Sequence, residues 1–122
     1  MDNKQFSKQL EKRTKNFAIN IVKLSGTLPS SSEGKVIKNQ ITKSGTSIGA
    51  NYREANRSRS RADFKNKIKI CESEASETVY WLEIIEELNW VEPLKIESII
   101  KEASEILAIF TSIGKKLNLK AI

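Results

Sequence analysis

Two stretches of the chain repeat small or apolar residues in unbroken steps of four and three, and that spacing leaves room for little except long helices packed side by side. Phe64, Ile68, Cys71, Ala75, Thr78, Leu82 and Ile85 form one seam; Ile96, Ile99, Ala103, Ile106, Phe110, Ile113 and Leu117 form another. A repeat of about 3.5 residues keeps one stripe turned toward a partner helix along its whole length. Trp81 and Leu88 widen the first seam, and Ile100, Leu107 and Ile109 make the second apolar over more than one stripe. Those surplus residues either fill a broad core or form a contact between subunits.

The upstream half reads as two further helices. From about Asn3 to Ser25, Phe6, Leu10, Phe17, Ile21 and Leu24 share a face that continues to Leu28, with Arg13 filling the gap. Gly26 offers a stop, and Pro29 bars continuation. Ser30, with Glu33 three residues on, reads as a capping box that opens a second helix over about Ser31 to Asn56. Its apolar face is Ile37, Ile41, Ile48 and Tyr52, but Gly45, Gly49 and Ala50 lie within it. Each interior glycine costs about 1 kcal/mol relative to alanine, so a neighbouring backbone is expected close against them. Ser60 caps the third helix with Asp63 in its first turn, Asn89 closes it, and Pro93 suits the first turn of the fourth. Four helices with short links give an all-α, up-down-up-down antiparallel four-helix bundle, a single domain over residues 1–122.

The residue inventory excludes more chemistry than it suggests. The chain has no histidine, which removes the commonest general base, nucleophile activator and metal ligand together. Cys71 lies on a seam, where a buried, inert thiol is expected. Gly34-Lys35 fails as a phosphate-binding loop in spacing, in the following residue and in lacking a preceding strand. Glu54, Glu74 and Glu77 are the only oxygen-ligand set worth weighing for a divalent cation, and their spacing does not demand one. The expectation is a non-enzyme with no cofactor and no metal. With a single cysteine, no apolar run of membrane-spanning length and a charged N-terminus, the chain reads as cytoplasmic and not membrane-bound.

Two polar patterns remain. Gln40, Ser44, Ser47, Asn51 and Glu54 step along the second helix in fours and threes, a stripe beside or within the apolar face. It reads as a hydrogen-bonding core network or, less economically, as a ligand site. The charges are also segregated within a formal net charge of +6. Arg53, Arg57, Arg59, Arg61, Lys65, Lys67 and Lys69 crowd the junction of the second and third helices, against Glu54 and Asp63 alone. Residues 72–92 carry seven glutamates and no lysine or arginine. Lys8, Lys12 and Lys15 offer a second basic surface on the first helix. Alternating arginine and serine suit phosphate, through bidentate guanidinium and hydroxyl contacts. RNA or DNA binding, contacts between subunits, or simple solvation all accommodate this clustering.

The run from Asn39 to Ala55, NQITKSGTSIGANYREA, resembles the signature of the four-helix-bundle proteins encoded in intervening sequences of bacterial 23S ribosomal RNA genes. Asp63-Phe64, Glu74-Ala75-Ser76-Glu77-Thr78, Tyr80-Trp81-Leu82-Glu83 and Leu28-Pro29 are similar to that family as well. Lys43 departs from its usual arginine, and Tyr52 from a branched aliphatic. The resemblance implies an up-down bundle assembling into a ring-shaped homopentamer, with no established enzymatic activity. The related accessory variability proteins of diversity-generating retroelements form basic pentameric barrels that bind nucleic acid and a protein partner, a reverse transcriptase. By analogy, RNA or DNA and a protein partner become expectations here. The matching positions Gln40, Ser44, Ser47, Asn51, Glu54, Glu77 and Trp81 are read as a polar packing core rather than as catalytic groups.

Overall fold

The computed structural model describes residues 2–120. Its elements are α1 (Asn3–Ser25), α2 (Ser32–Ala55), α3 (Arg61–Glu87) and α4 (Pro93–Lys120). Each helix packs on the next in sequence, and the α1–α4 seam that closes the bundle is the loosest. Cross-helix pairs set the direction. Thr14 meets Gly49 and Ile21 meets Gly45; Ser44 meets Thr78 and Ile48 meets Cys71; Glu72 meets Thr111 and Arg61 meets Leu117. In every pairing residue numbers rise on one helix as they fall on the other, so neighbours run antiparallel. Among the described residues no helix is long and apolar enough to cross a membrane.

Both seams read from the 4-3 spacing face inward. Ile68, Cys71, Ala75, Thr78, Leu82 and Ile85 are buried on α3, as are Ile96, Ala103, Ile106 and Phe110 on α4. The seam residues Ile99, Ile113 and Leu117 and the surplus residues Ile100, Leu107 and Ile109 pack against this core while keeping part of their surface exposed. Gly45 and Gly49 sit where α1 comes closest: a Cβ on Gly45 would lie 2.8 Å from an Ile21 methyl, and one on Gly49 3.0 Å from the Thr14 hydroxyl. The expected compensation for two helical glycines is therefore present as a close α1–α2 approach.

The helix ends follow capping chemistry with one correction. Asp2 caps α1 in a reciprocal box with Gln5, Ser60 caps α3 by accepting from the Asp63 N–H, and Asn89 takes the left-handed conformation (φ 57°) after α3. The Glu92 carboxylate accepts from the Leu94 and Lys95 N–H groups, with Pro93 at the first position of α4. The Ser30–Glu33 capping box does not form. Ser31 is the cap and accepts from the Gly34 N–H at 3.1 Å. The third helical position is thus a glycine, which has no side chain to reach back. Gly34 also lies against the Pro29 carbonyl, where a Cβ would collide.

Two α1 positions differ from the spacing. Thr14, not Arg13, fills the buried gap, its hydroxyl donating to the Leu10 carbonyl at 2.9 Å. Arg13 turns instead to the loose seam and bridges Glu102 at 2.6 Å and Glu105 at 2.8 Å on α4. Its hydrogen bond to Glu102 leads the effects that raise the guanidinium pKa, against a smaller lowering by burial. Phe6 lies beyond the end of the core and stays 40% exposed.

Candidate nucleic-acid interface

The antiparallel order brings the α2–α3 connection, the start of α1 and the end of α4 to one end of the bundle, and most of the arginines are there because that connection is. Short α2–α3 spacing holds the loop tight: the Arg57 N–H donates to the Glu54 carbonyl and the Ser58 N–H to the Ala55 carbonyl. The side chains of Arg57 and Arg59 are left in solvent. Lys65 and Lys69 follow one and two turns into α3, half-buried and exposed respectively.

The seven basic residues singled out from the sequence divide into two groups. Arg53 faces Glu11 at 3.7 Å and Lys67 faces Glu54 at 3.4 Å. Arg61 donates from Nη2 to the Leu117 carbonyl at 2.7 Å, satisfying an acceptor in the last turns of α4. Arg57, Arg59, Lys65 and Lys69 have no carboxylate within ion-pair distance among the described residues. An arginine or lysine held without a protein counter-charge is the kind that trades condensed counterions for phosphate. Arg53 and Arg57 also line a groove of about 470 Å³ between α1 and α2 with Lys15 and Glu11. Lys15 was legible only as part of a separate basic surface. Its sequence position gives no sign that it faces Arg53 and Arg57, because that proximity depends on the Gly49 approach.

The polar stripe does not form the interior network read from its spacing. Only Ser44 is buried; it accepts a hydrogen bond from the Thr78 hydroxyl at 3.0 Å, and Thr78 is a partner that the stripe did not include. Gln40, Glu54 and Glu77 are exposed, while Ser47, Asn51 and Trp81 are half-buried. The reason is angular. The stripe runs along the edge of the α2 face whose centre is Ile41, Ile48 and Tyr52, so its members other than Ser44 meet solvent beside α3 rather than the core. Their bonds are short-range: Ser47 donates to the Lys43 carbonyl, Asn51 to the Ser47 carbonyl and the Trp81 indole to Glu77.

Other chemistry is sparse. Burial pushes the Cys71 thiol up to about 12, and its weak donor points at the Ile48 carbonyl, so it behaves as a small core hydrophobe. Among the described residues no three histidine, cysteine, aspartate or glutamate side chains converge as a metal-binding group.

Comparison with known proteins agrees with the fold. The model of the 23S rRNA-intervening sequence proteins matches residues 8–112. The chain is also similar to a protein of unknown function from the S23 ribosomal protein family of Bacteroides thetaiotaomicron, known from a crystal structure. The two are 42% identical over 87% of this chain and 98% of that one, with a TM-score of 0.81. Among curated proteins none matches.

Proposed function

The chain belongs to the 23S rRNA-intervening sequence protein family, and we propose that it acts as a non-enzymatic homo-oligomeric bundle whose basic end holds structured RNA or DNA by its phosphates. The observation that carries this reading is the set of four cations without carboxylate partners, Arg57, Arg59, Lys65 and Lys69, at the α2–α3 end. Contacts of this kind position a backbone and read little sequence. The oligomer is the homopentamer implied by the family resemblance. It draws support from exposed apolar side chains that a lone bundle leaves in water, Ile19 and Val22 one turn apart on α1 and Tyr80 on α3.

The test is a fluorescence-anisotropy titration of labelled duplex DNA and structured RNA at two salt concentrations. Native protein is compared with Arg57→Ala/Arg59→Ala, after light scattering shows both at the same mass. Arg61 is left intact because it also satisfies a carbonyl of α4. The pair is expected to weaken binding roughly tenfold at low salt and to lower the slope of log affinity against log salt by about 2. No binding by native protein at low salt overturns the reading.

One observation favours a second reading. Exposed glutamates within residues 72–92 carry the charge opposite to that of the basic end, so between two copies the same arginines would serve subunit contacts. In that case the double variant changes the mass seen by light scattering.

A further inference from the structure

The end of the bundle that carries the basic loop also opens into a cavity of about 430 Å³, within the size range of small-ligand pockets. Three aromatic side chains from three helices wall it: Phe6 of α1, Tyr52 of α2 and Phe64 of α3. The Tyr52 ring is buried, at 2% exposure, and packs edge-on against Phe110. No described group hydrogen-bonds the Tyr52 hydroxyl, yet no buried side-chain oxygen or nitrogen among the described residues lacks a partner. Tyr52 is also among the residues that line the cavity. Asn56, also on the wall, donates through Nδ2 to Glu11 at 2.9 Å, which leaves its carbonyl oxygen able to accept. Lys116 stands at the cavity, and Arg61 is bonded to the carbonyl of Leu117 in its wall. Asn56 leads directly into Arg57-Ser58-Arg59, so the basic loop begins at the cavity's edge.

We propose that this cavity receives one unpaired nucleobase of an RNA strand whose phosphates lie on the basic loop. The inference rests on the nucleic-acid reading above and names which part of the nucleic acid is recognised. A base offers flat faces for Phe6 and Phe64 and polar edges for the Tyr52 hydroxyl and the Asn56 carbonyl. Its own phosphate carries the charge that Lys116 and Arg61 complement. Stacking on an aromatic side chain tolerates any base, because every base has a flat π-face. A base paired within a duplex reaches such a cavity only after unstacking. The protein should thus favour RNA that already presents an unpaired base.

The experiment measures the affinity of native protein for two RNA duplexes that differ by one bulged purine. The bulged duplex is expected to bind about tenfold tighter. Two variants leave the charge unchanged: Phe6→Ala removes a wall that is already partly exposed, and Ser7→Trp fills the cavity from α1. Circular dichroism checks that each folds, and Phe6→Ala serves alone if the tryptophan does not. Both variants should lose the preference for the bulge while keeping the affinity for the paired duplex. Arg57→Ala/Arg59→Ala should weaken both duplexes alike. Equal, salt-sensitive binding of both duplexes by native protein, or a preference that survives in the folded variants, overturns the base pocket and leaves the phosphate reading standing. Failure to bind either duplex at low salt overturns the phosphate reading itself.

Discussion

Phe110→Ala is expected to destabilise the bundle by about 3–5 kcal/mol, the range for removing a buried aromatic ring. Phe110 is fully buried on α4, and its ring meets that of Tyr52 edge-on, with centroids 5.4 Å apart and planes at 69°. The substitution removes the transfer free energy of the ring and leaves a void. It also removes an aromatic pair worth about 0.5–1.5 kcal/mol beyond its buried area. Helix propensity works the other way by only a few tenths of a kcal/mol. Small domains have a total stability of about 5–15 kcal/mol, so the loss is a large share of the whole. Urea unfolding at one fixed protein concentration should show a lower midpoint with little change in slope. A loss under about 1 kcal/mol would mean that Phe110 is not the packed centre described above.

Gly45→Leu is expected to cost about 3 kcal/mol, at the upper end of the usual range for overpacking. A Cβ at Gly45 meets three Ile21 atoms between 2.8 and 3.2 Å, and a leucine adds three further carbons beyond that Cβ. Replacing glycine in a helix interior gains about 1 kcal/mol in backbone propensity. The steric term must exceed that gain for the sign to hold. Relief would require α1 to move away, and Gly49 ties the same two helices a turn later through Thr14. Thermal unfolding at matched concentration should show a fall of roughly 10 °C for a chain of this size. An unchanged or raised midpoint would show that Ile21 turns aside cheaply and that the glycines do not hold α1 to α2.

The parts of the fold that could be read from the residues are those governed by periodicity. Phe64 through Ile85 and Ile96 through Leu117 keep the 4-3 spacing for their full length, and a sustained stripe admits few arrangements. The glycines of α2 were legible for an energetic reason: two of them inside a helix need a compensating contact, and Ile21 and Thr14 supply it. The start of α2 was not legible to the residue. Ser30, with Glu33 three residues on, reads as the better cap, yet Ser31 takes that place and sets Gly34 against the Pro29 carbonyl.

The site was legible as a cluster and not as an arrangement. The density of arginine and lysine between positions 53 and 69 announced a basic end. Which of them stay unpaired depends on residues far away in sequence: Glu11 reaches Arg53, and the Leu117 carbonyl takes Arg61. The polar stripe of α2 failed as a core for a related reason. Spacing assigns its members to one side of the helix, but the centre of the buried face is set by where α1 and α3 lie. That leaves Ser44 inside with Thr78, and Gln40 and Glu54 outside. The end cavity joins residues from all four helices, a convergence that no local window contains.

Ultraviolet crosslinking of bound RNA, followed by mass spectrometry of the peptides, locates where nucleic acid lies on the bundle. With nucleic acid on the α2–α3 end, crosslinks should concentrate in the peptides spanning residues 53–69, with Phe6 or Phe64 among the adducts when the RNA carries an unpaired base. Crosslinks confined to the glutamate-rich stretch of residues 72–92, or to the opposite end around Trp90, would contradict it.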